Sequence, residues 1–234
     1  MSELIKVATI YTPFSQKFGI PRQGMMENDL ISEIVLEPQF NDPKAIKGIE
    51  EYSHLWLIWG FSKNPWNGSL EVRPPRLGGN ETRGVFATRS SYRPNELGLT
   101  SVKLVDITND NNRLILRVTG ADMLDGTPIY DIKPYLPYAD IHEDAEGSFG
   151  QAHKDDRIEV IFPENELCKL PERYRKSAIE LISMDPRAAY NKEPEYIYGL
   201  ALADYDIRFT INNEVASIIE VVRRNTEDYS NIKS

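Results

Sequence analysis

The chain has 234 residues, 41% of them hydrophobic and 27% charged, with a formal net charge of −9. That balance fits a globular protein with one good core and room for a smaller second unit, and no apolar run is long enough to span a bilayer. A single cysteine, Cys168, excludes an internal disulfide framework, and three scattered histidines (His54, His142, His153) give no metal-ligand spacing, so no metal is expected. The opening MSELIKVATIYTPF lacks the basic-then-apolar order of a secretory signal, so the expected setting is cytoplasmic, with no membrane partner.

In chain order, residues 5–10 read as a short first strand and residues 30–36 (LISEIVL), ended by Pro38, as a second. Residues 43–52 read as one short helix, with Asp42 as N-cap and Pro43 at its first position. HLWLIWGF, residues 54–61, is the most apolar run; it is too short for a core helix and aromatic-rich, which predicts a central buried strand. Residues 101–107 and 113–118 flank the turn cluster TNDNN and read as a hairpin. Residues 121–140 are acidic, aromatic and broken by prolines, and RIEVIF at 157–162 reads as a closing strand. Short strands punctuated by turns predict an antiparallel barrel or closed sandwich for residues 1–162. The pattern then changes: PERYRKSAIELISM has a helical period, and residues 205–211 and 215–222 read as two strands across Asn212-Asn213. The expectation is a β domain over 1–162 and a small α+β domain over 163–234.

Residues 72–100, VRPPRLGGNETRGVFATRSSYRPNELGLT, carry five arginines (Arg73, Arg76, Arg83, Arg89, Arg93) against Glu81 and Glu96. An otherwise acidic chain has gathered cationic groups into its most glycine- and proline-punctuated segment. Arginine forks suit phosphate and carboxylate, so an anionic ligand is expected there, although a solvated surface loop has the same composition. A second constellation is DMLDGTP at 122–128, followed by Asp131, Lys133 and the tyrosines Tyr130, Tyr135 and Tyr138. Asp125-Gly126 is a turn signal by itself; the carboxylates and tyrosine faces also suit a site that holds ribose hydroxyls or stacks a base. No GxGxxG, GxxxxGK[ST] or Gly-x-Ser-x-Gly is present, so nucleotide-sheet folds and serine hydrolysis are unsupported.

PRQ at 21–23, FNDPKAIKGIEEYSHLWLI at 40–58, VRPPRLGGN at 72–80, GVFATRSSYRPNELGLT at 84–100 and DGTPIYDIKPYLPYAD at 125–140 together resemble the TsaA-like (YaeB-like) family and, within it, the bacterial tRNA adenine-N6-methyltransferases. SMDPRAAY at 183–190 and YIYGLALADYDIRFTI at 196–211 extend the resemblance through the C-terminal part. It implies an antiparallel β-barrel with a small C-terminal α+β domain, S-adenosyl-L-methionine as cofactor, a homodimer, and tRNA as partner. The implied reaction places a methyl on the exocyclic nitrogen of threonylcarbamoyl-adenosine beside the anticodon of threonine tRNAs. By motif match it assigns cofactor contacts to Pro21, Arg22, Gln23, Ser62, Lys63, Arg89, Leu99, Met123, Leu124, Asp125 and Gly126. Arg93, Tyr135, Arg187 and Tyr190 are the expected substrate contacts, with Arg187 and Tyr190 assigning tRNA to the C-terminal domain. For the proton released on methylation, Asp131 is the expected base and the Asn95 amide the other acceptor. Two other readings use the same residues: a non-catalytic RNA-binding β-barrel, or a TsaA-like methyltransferase with a different substrate.

Overall fold

The computed structural model describes residues 4–21, 23–24, 29–61, 63, 65–74, 77, 81–152, 155–187, 193 and 195–224. Its strands are β1 (Ala8–Tyr11), β2 (Ser32–Leu36), β3 (His54–Gly60), β4 (Glu71–Val72), β5 (Arg83–Gly84), β6 (Leu97–Asp110), β7 (Arg113–Thr119), β8 (Thr127–Pro134), β9 (Glu159–Ile161), β10 (Tyr198–Leu202), β11 (Tyr205–Asn212) and β12 (Val215–Arg223). The helices are α1 (Pro137–Asp140), α2 (Ser148–Ala152), α3 (Glu164–Leu167) and α4 (Glu172–Ser183).

Six strands pair in the order β1-β2-β7-β6-β3-β8, all antiparallel, and β8 returns to β1 through Ala8↔Ile129, Thr9↔Pro128 and Ile10↔Thr127. Along β3, Leu55, Leu57 and Trp59 are buried while His54, Trp56 and Ile58 face outward, the alternation of a strand with one face in a core. Ile10, Ile34, Val102, Leu116 and Ile129 complete the interior of this ring. The β6–β7 hairpin turns at Asn111 and Asn112, with φ of 51° and 63°, the left-handed pair that a tight hairpin demands and asparagine tolerates.

The second sheet has the order β10-β11-β12-β9. Ala178, Leu181 and Ile182 of α4 are buried in the same core as Leu200, Ile207, Phe209 and Ile218.

The expected architecture of residues 1–162 requires correction. The segment read as the closing strand of a barrel pairs instead in parallel with β12, through Val215↔Glu159, Ala216↔Val160 and Ser217↔Ile161. Ile158, Val160 and Phe162 pack against the second core, and the chain has already left the ring at Pro134. What stands in place of a barrel over 1–162 is a ring-like sheet of six strands, joined between β1 and β8 by those three residue pairs. The α+β character of the C-terminal part is as expected. The single helix expected at 43–52 is two 3₁₀ turns, Pro43–Ile46 and Ile49–Glu51, separated by Gly48 at φ +86°. The Asp42 cap is present, its carboxylate accepting from the Lys44 amide at 2.9 Å.

One loop joins the halves. Between β1 and β2, the Thr12 amide donates to Asp125 Oδ1 at 2.9 Å, and the Ala203 amide donates to the Pro13 carbonyl at 2.8 Å. Arg224 donates to the Ser15 hydroxyl at 2.6 Å. Phe14 and Leu30 are buried within the C-terminal core, and Phe18 stacks on Tyr198 with ring centroids 5.7 Å apart. Gly19 takes φ +83° directly over Leu200, where an added Cβ would lie 1.9 Å from Leu200 Cδ1. Phe14→Ala should therefore cost about 3–5 kcal/mol, the range for a core phenylalanine. Tyr138→Ala, on α1 where the residue is 87% exposed, should stay within about 0.5 kcal/mol. Urea unfolding of the two variants checks the contrast; a Phe14 cost below about 1 kcal/mol would mean the loop is not docked.

Candidate active site

A cleft of about 2430 Å³ runs along the side of the ring where this loop crosses. Its walls come from residues 17–24, the end of β3, the arginine segment, the 122–127 turn, and the C-terminal part around Arg157 and residues 180–187. Trp59 closes the inner end of β3, its ring 4.3 Å from that of Phe61 in an edge-to-face contact.

A hydrogen-bond chain leads from the ring interior into this cleft. Trp59 Nε1 donates to Thr100 Oγ1 at 3.0 Å, and Thr100 Oγ1 donates to Asp122 Oδ1 at 2.6 Å. The indole has no acceptor, so the hydroxyl hydrogen is committed to the carboxylate. Burial pushes the Asp122 pKa up to about 6, against the opposing pull of the Thr100 hydroxyl, its own and the Gly24 backbone amides, and the Arg89 guanidinium. Arg89 in turn donates to Gln23 Oε1 at 2.7 Å, tying the arginine segment to the PRQ loop.

The cleft brings together Pro21, Gln23, Lys63, Arg89, Leu99 and Leu124 of the expected cofactor contacts, and Arg93, Asn95 and Arg187 of the expected substrate and catalytic set. Arg22, Ser62 and Tyr190 lie outside the described residues. Met123 is buried in the core of the ring and its carbonyl accepts from the Thr12 hydroxyl at 2.9 Å. Asp125 and Gly126 form the turn itself, with the Gly126 amide donating to the Ile10 carbonyl at 3.0 Å. Asp131 and Tyr135 are not among the residues lining the cleft. Asp131 pairs with Lys133 at 2.8 Å and accepts from the Ile132 amide, while the Tyr135 ring lies 5.4 Å from that of Trp56 on the outer face of β3. Arg93 reaches the Thr88 carbonyl at 3.1 Å and so also shapes its own loop. Arg187 holds Asp185 with two contacts of 2.7 Å each, which raise the guanidinium pKa further.

Sequence reasoning named Asp122 within the DMLDGTP constellation but gave it no assigned contact, and it did not select Thr100 or Trp59. Asp122 shares a motif with the chosen residues, but the burial that sets it apart from Asp125 depends on two distant strands and leaves no local signal.

A family model for the tRNA-methyltransferase O N-terminal domain matches residues 9–141, and one for the TrmO C-terminal domain matches residues 155–224. The chain belongs to the tRNA-methyltransferase O family. It is 36% identical over 217 residues to the tRNA (adenine(37)-N6)-methyltransferase of Escherichia coli (strain K12), a match covering 89% of this chain and 92% of that protein. It is 40% identical over 212 residues to a putative S-adenosylmethionine-dependent methyltransferase of Pseudomonas aeruginosa, covering 87% and 90%. A crystal structure of TrmO from Pseudomonas aeruginosa superposes with a TM-score of 0.72 at 31% identity, covering 95% of this chain and 99% of that one. Membership in the TrmO family makes the cleft the first place to look for an S-adenosylmethionine-dependent methyl transfer.

Because Asp122 has a raised pKa, the folded chain holds its proton more tightly than the unfolded chain does. That stabilisation is complete below the ordinary aspartate range and is lost as pH rises through about 6. Asp122→Asn is neutral at every pH, so relative to the unsubstituted protein it should gain roughly 2–3 kcal/mol between about pH 4 and about pH 7. Urea unfolding at both pH values reads this directly, and a pH-independent difference would contradict the burial of the carboxylate.

Proposed function

We propose that this chain, by family an S-adenosylmethionine-dependent tRNA (adenine-N6)-methyltransferase, methylates the exocyclic nitrogen of threonylcarbamoyl-adenosine beside the anticodon of threonine tRNAs. The observation that carries the reading is the convergence of Gln23, Lys63, Arg89, Leu99 and Leu124 on one cleft from segments far apart in the chain.

The donor set fits the cofactor, which when bound supplies a methyl on a sulfonium together with an ammonium, a carboxylate and an adenosine. Arg89, anchored by Gln23, is a guanidinium suited to the carboxylate. Leu99, 54% exposed on the cleft wall, and Leu124 offer apolar faces to the adenine. Arg22 and Ser62 belong to the same proposed set through their motifs. Met123, Asp125 and Gly126 contribute through the turn that presents Leu124.

For the tRNA, Lys17, Lys63, Arg73, Arg93 and Arg157 on the cleft wall are the proposed phosphate contacts. With Arg89 and Arg187 they offset the seven acidic side chains of the described lining, so the cleft is less repulsive to a polyanion than a chain of net charge −9 is as a whole. The anticodon loop is single-stranded, so its target base turns into a pocket at lower unpairing cost than in a duplex. Arg187 and Tyr190 carry the proposed C-terminal contact, and Tyr135 a stacking contact on the outer wall. Asn95, exposed on the cleft wall, is placed to hydrogen-bond the reacting nitrogen or its carbamoyl group, which Asp131, tied to Lys133, is not. A homodimer is part of the proposal: Phe86, Tyr92 and Leu99 are exposed large apolar side chains grouped along the same cleft, the kind of patch that marks an interaction surface.

The test is incubation of the protein with threonine tRNA and methyl-labelled S-adenosylmethionine, followed by mass spectrometry of the nucleosides. The label should appear on threonylcarbamoyl-adenosine and vanish when the tRNA lacks the threonylcarbamoyl group; label on another nucleoside would overturn the substrate. Arg89→Ala should weaken cofactor binding by about 1.5–3 kcal/mol, the range for a lost charged hydrogen bond. An unchanged Kd by calorimetry, in a variant that remains folded, would remove Arg89 from the site.

A further inference from the structure

We infer that Asp122 takes the proton released from the exocyclic nitrogen as that nitrogen is methylated, an inference resting on the tRNA methyltransferase reading above. The juxtaposition behind it is a partly buried carboxylate, fixed by a two-step hydrogen-bond chain from the ring interior, on the wall of the cleft that holds Arg89, Asn95 and Leu99.

The acceptor nitrogen is a weak nucleophile, because its lone pair is delocalised into the purine and the carbamoyl group. As the N–C bond forms, the S–C bond breaks and its electron pair stays on sulfur as a neutral thioether. Unless the N–H proton leaves, the nitrogen becomes cationic. A carboxylate that accepts it helps the transition state more than the ground state, and afterwards the carboxylic acid returns the proton to solvent. The Asn95 amide orients the group but cannot keep a proton.

Asp122 is suited to this step by its surroundings. The Thr100 hydroxyl and the Gly24 amide hold the carboxylate, and two oxygens offer more acceptor sites than these donors use. The charged group facing it is Arg89, from the loop before β6. Strand β6 offers Thr100, β3 the Trp59 indole and the 17–24 loop the Gly24 amide, none of which titrates near neutrality. With a pKa near 6, Asp122 is ionised at physiological pH yet basic enough to take up a proton.

The experiment is single-turnover methylation with saturating cofactor and tRNA across pH, with cofactor affinity measured separately by calorimetry. The unsubstituted protein should lose rate about tenfold per pH unit below about pH 6. Asp122→Asn should slow the chemical step about 10²-fold or more and flatten the profile, with cofactor Kd within about threefold. Thr100→Val removes a donor that favours the ionised form, so its midpoint should move to higher pH, which gives a second readout should Asp122→Asn fold poorly. Three results would overturn the inference: a normal rate in Asp122→Asn, a loss that higher cofactor concentration restores, or a collapse in Asp131→Asn with Asp122→Asn unaffected. Failure of the unsubstituted protein to methylate any tRNA would instead overturn the underlying functional reading.

Discussion

The docking of one loop, between β1 and β2, onto both halves of the molecule is the contact on which the rest depends. At its start the Thr12 amide is held by Asp125 in the β7–β8 turn. Further on, Phe14 sinks into the C-terminal core, Phe18 packs against it, and Gly19 lies against Leu200. Only after these fixings does the chain reach Pro21, Gln23 and Gly24, which face the cleft. The C-terminal sheet is therefore the bed for one wall of the cleft. A loop alone would lose considerable backbone entropy in holding Gln23 against Arg89, and the burial of Phe14 and packing of Phe18 offset that cost.

The electrostatics follow from the same geometry. In a chain with a net charge of −9, the described lining of the cleft is balanced, seven basic side chains against seven acidic ones, so the cleft is less negative than the chain as a whole. Asp122 stands apart among the acidic residues lining the cleft, which also include Glu71, Asp155, Asp156, Glu180, Asp185 and Glu214. Its carboxylate sits beside Arg89 yet is held above the usual aspartate range because burial outweighs the neighbouring charge and donors. Asp125, three residues on, is exposed and committed to the Thr12 amide. Two carboxylates in one short motif thus have separate duties, set by which side of a turn each occupies.

Much of this was legible in the sequence where a signal is local. The short, aromatic-rich apolar run HLWLIWGF gave β3, the turn cluster TNDNN gave the hairpin, and the excess of arginine over acid marked the cleft-lining segment. β8 was hidden because Pro128 and Pro134 read as breakers, although Pro128 sits opposite Thr9 at the start of the strand and Pro134 at its end. β9 was recognised as a strand but given the wrong neighbours, since a three-residue strand does not declare which sheet it joins. The broken helix at 43–52 shows the same limit: Asp42 and Pro43 signal a start, but nothing local weighs a full helix against two 3₁₀ turns. Asp122 could not be separated from Asp125 without knowing that Trp59 and Thr100 stand behind it.

Hydrogen-exchange mass spectrometry with and without S-adenosylmethionine tests most directly whether this cleft is one site built from both halves of the chain. Binding should slow exchange together in peptides covering residues 17–24, 97–100 and 122–127. Protection confined to the C-terminal strands, or to none of these segments at a saturating concentration, would contradict the account.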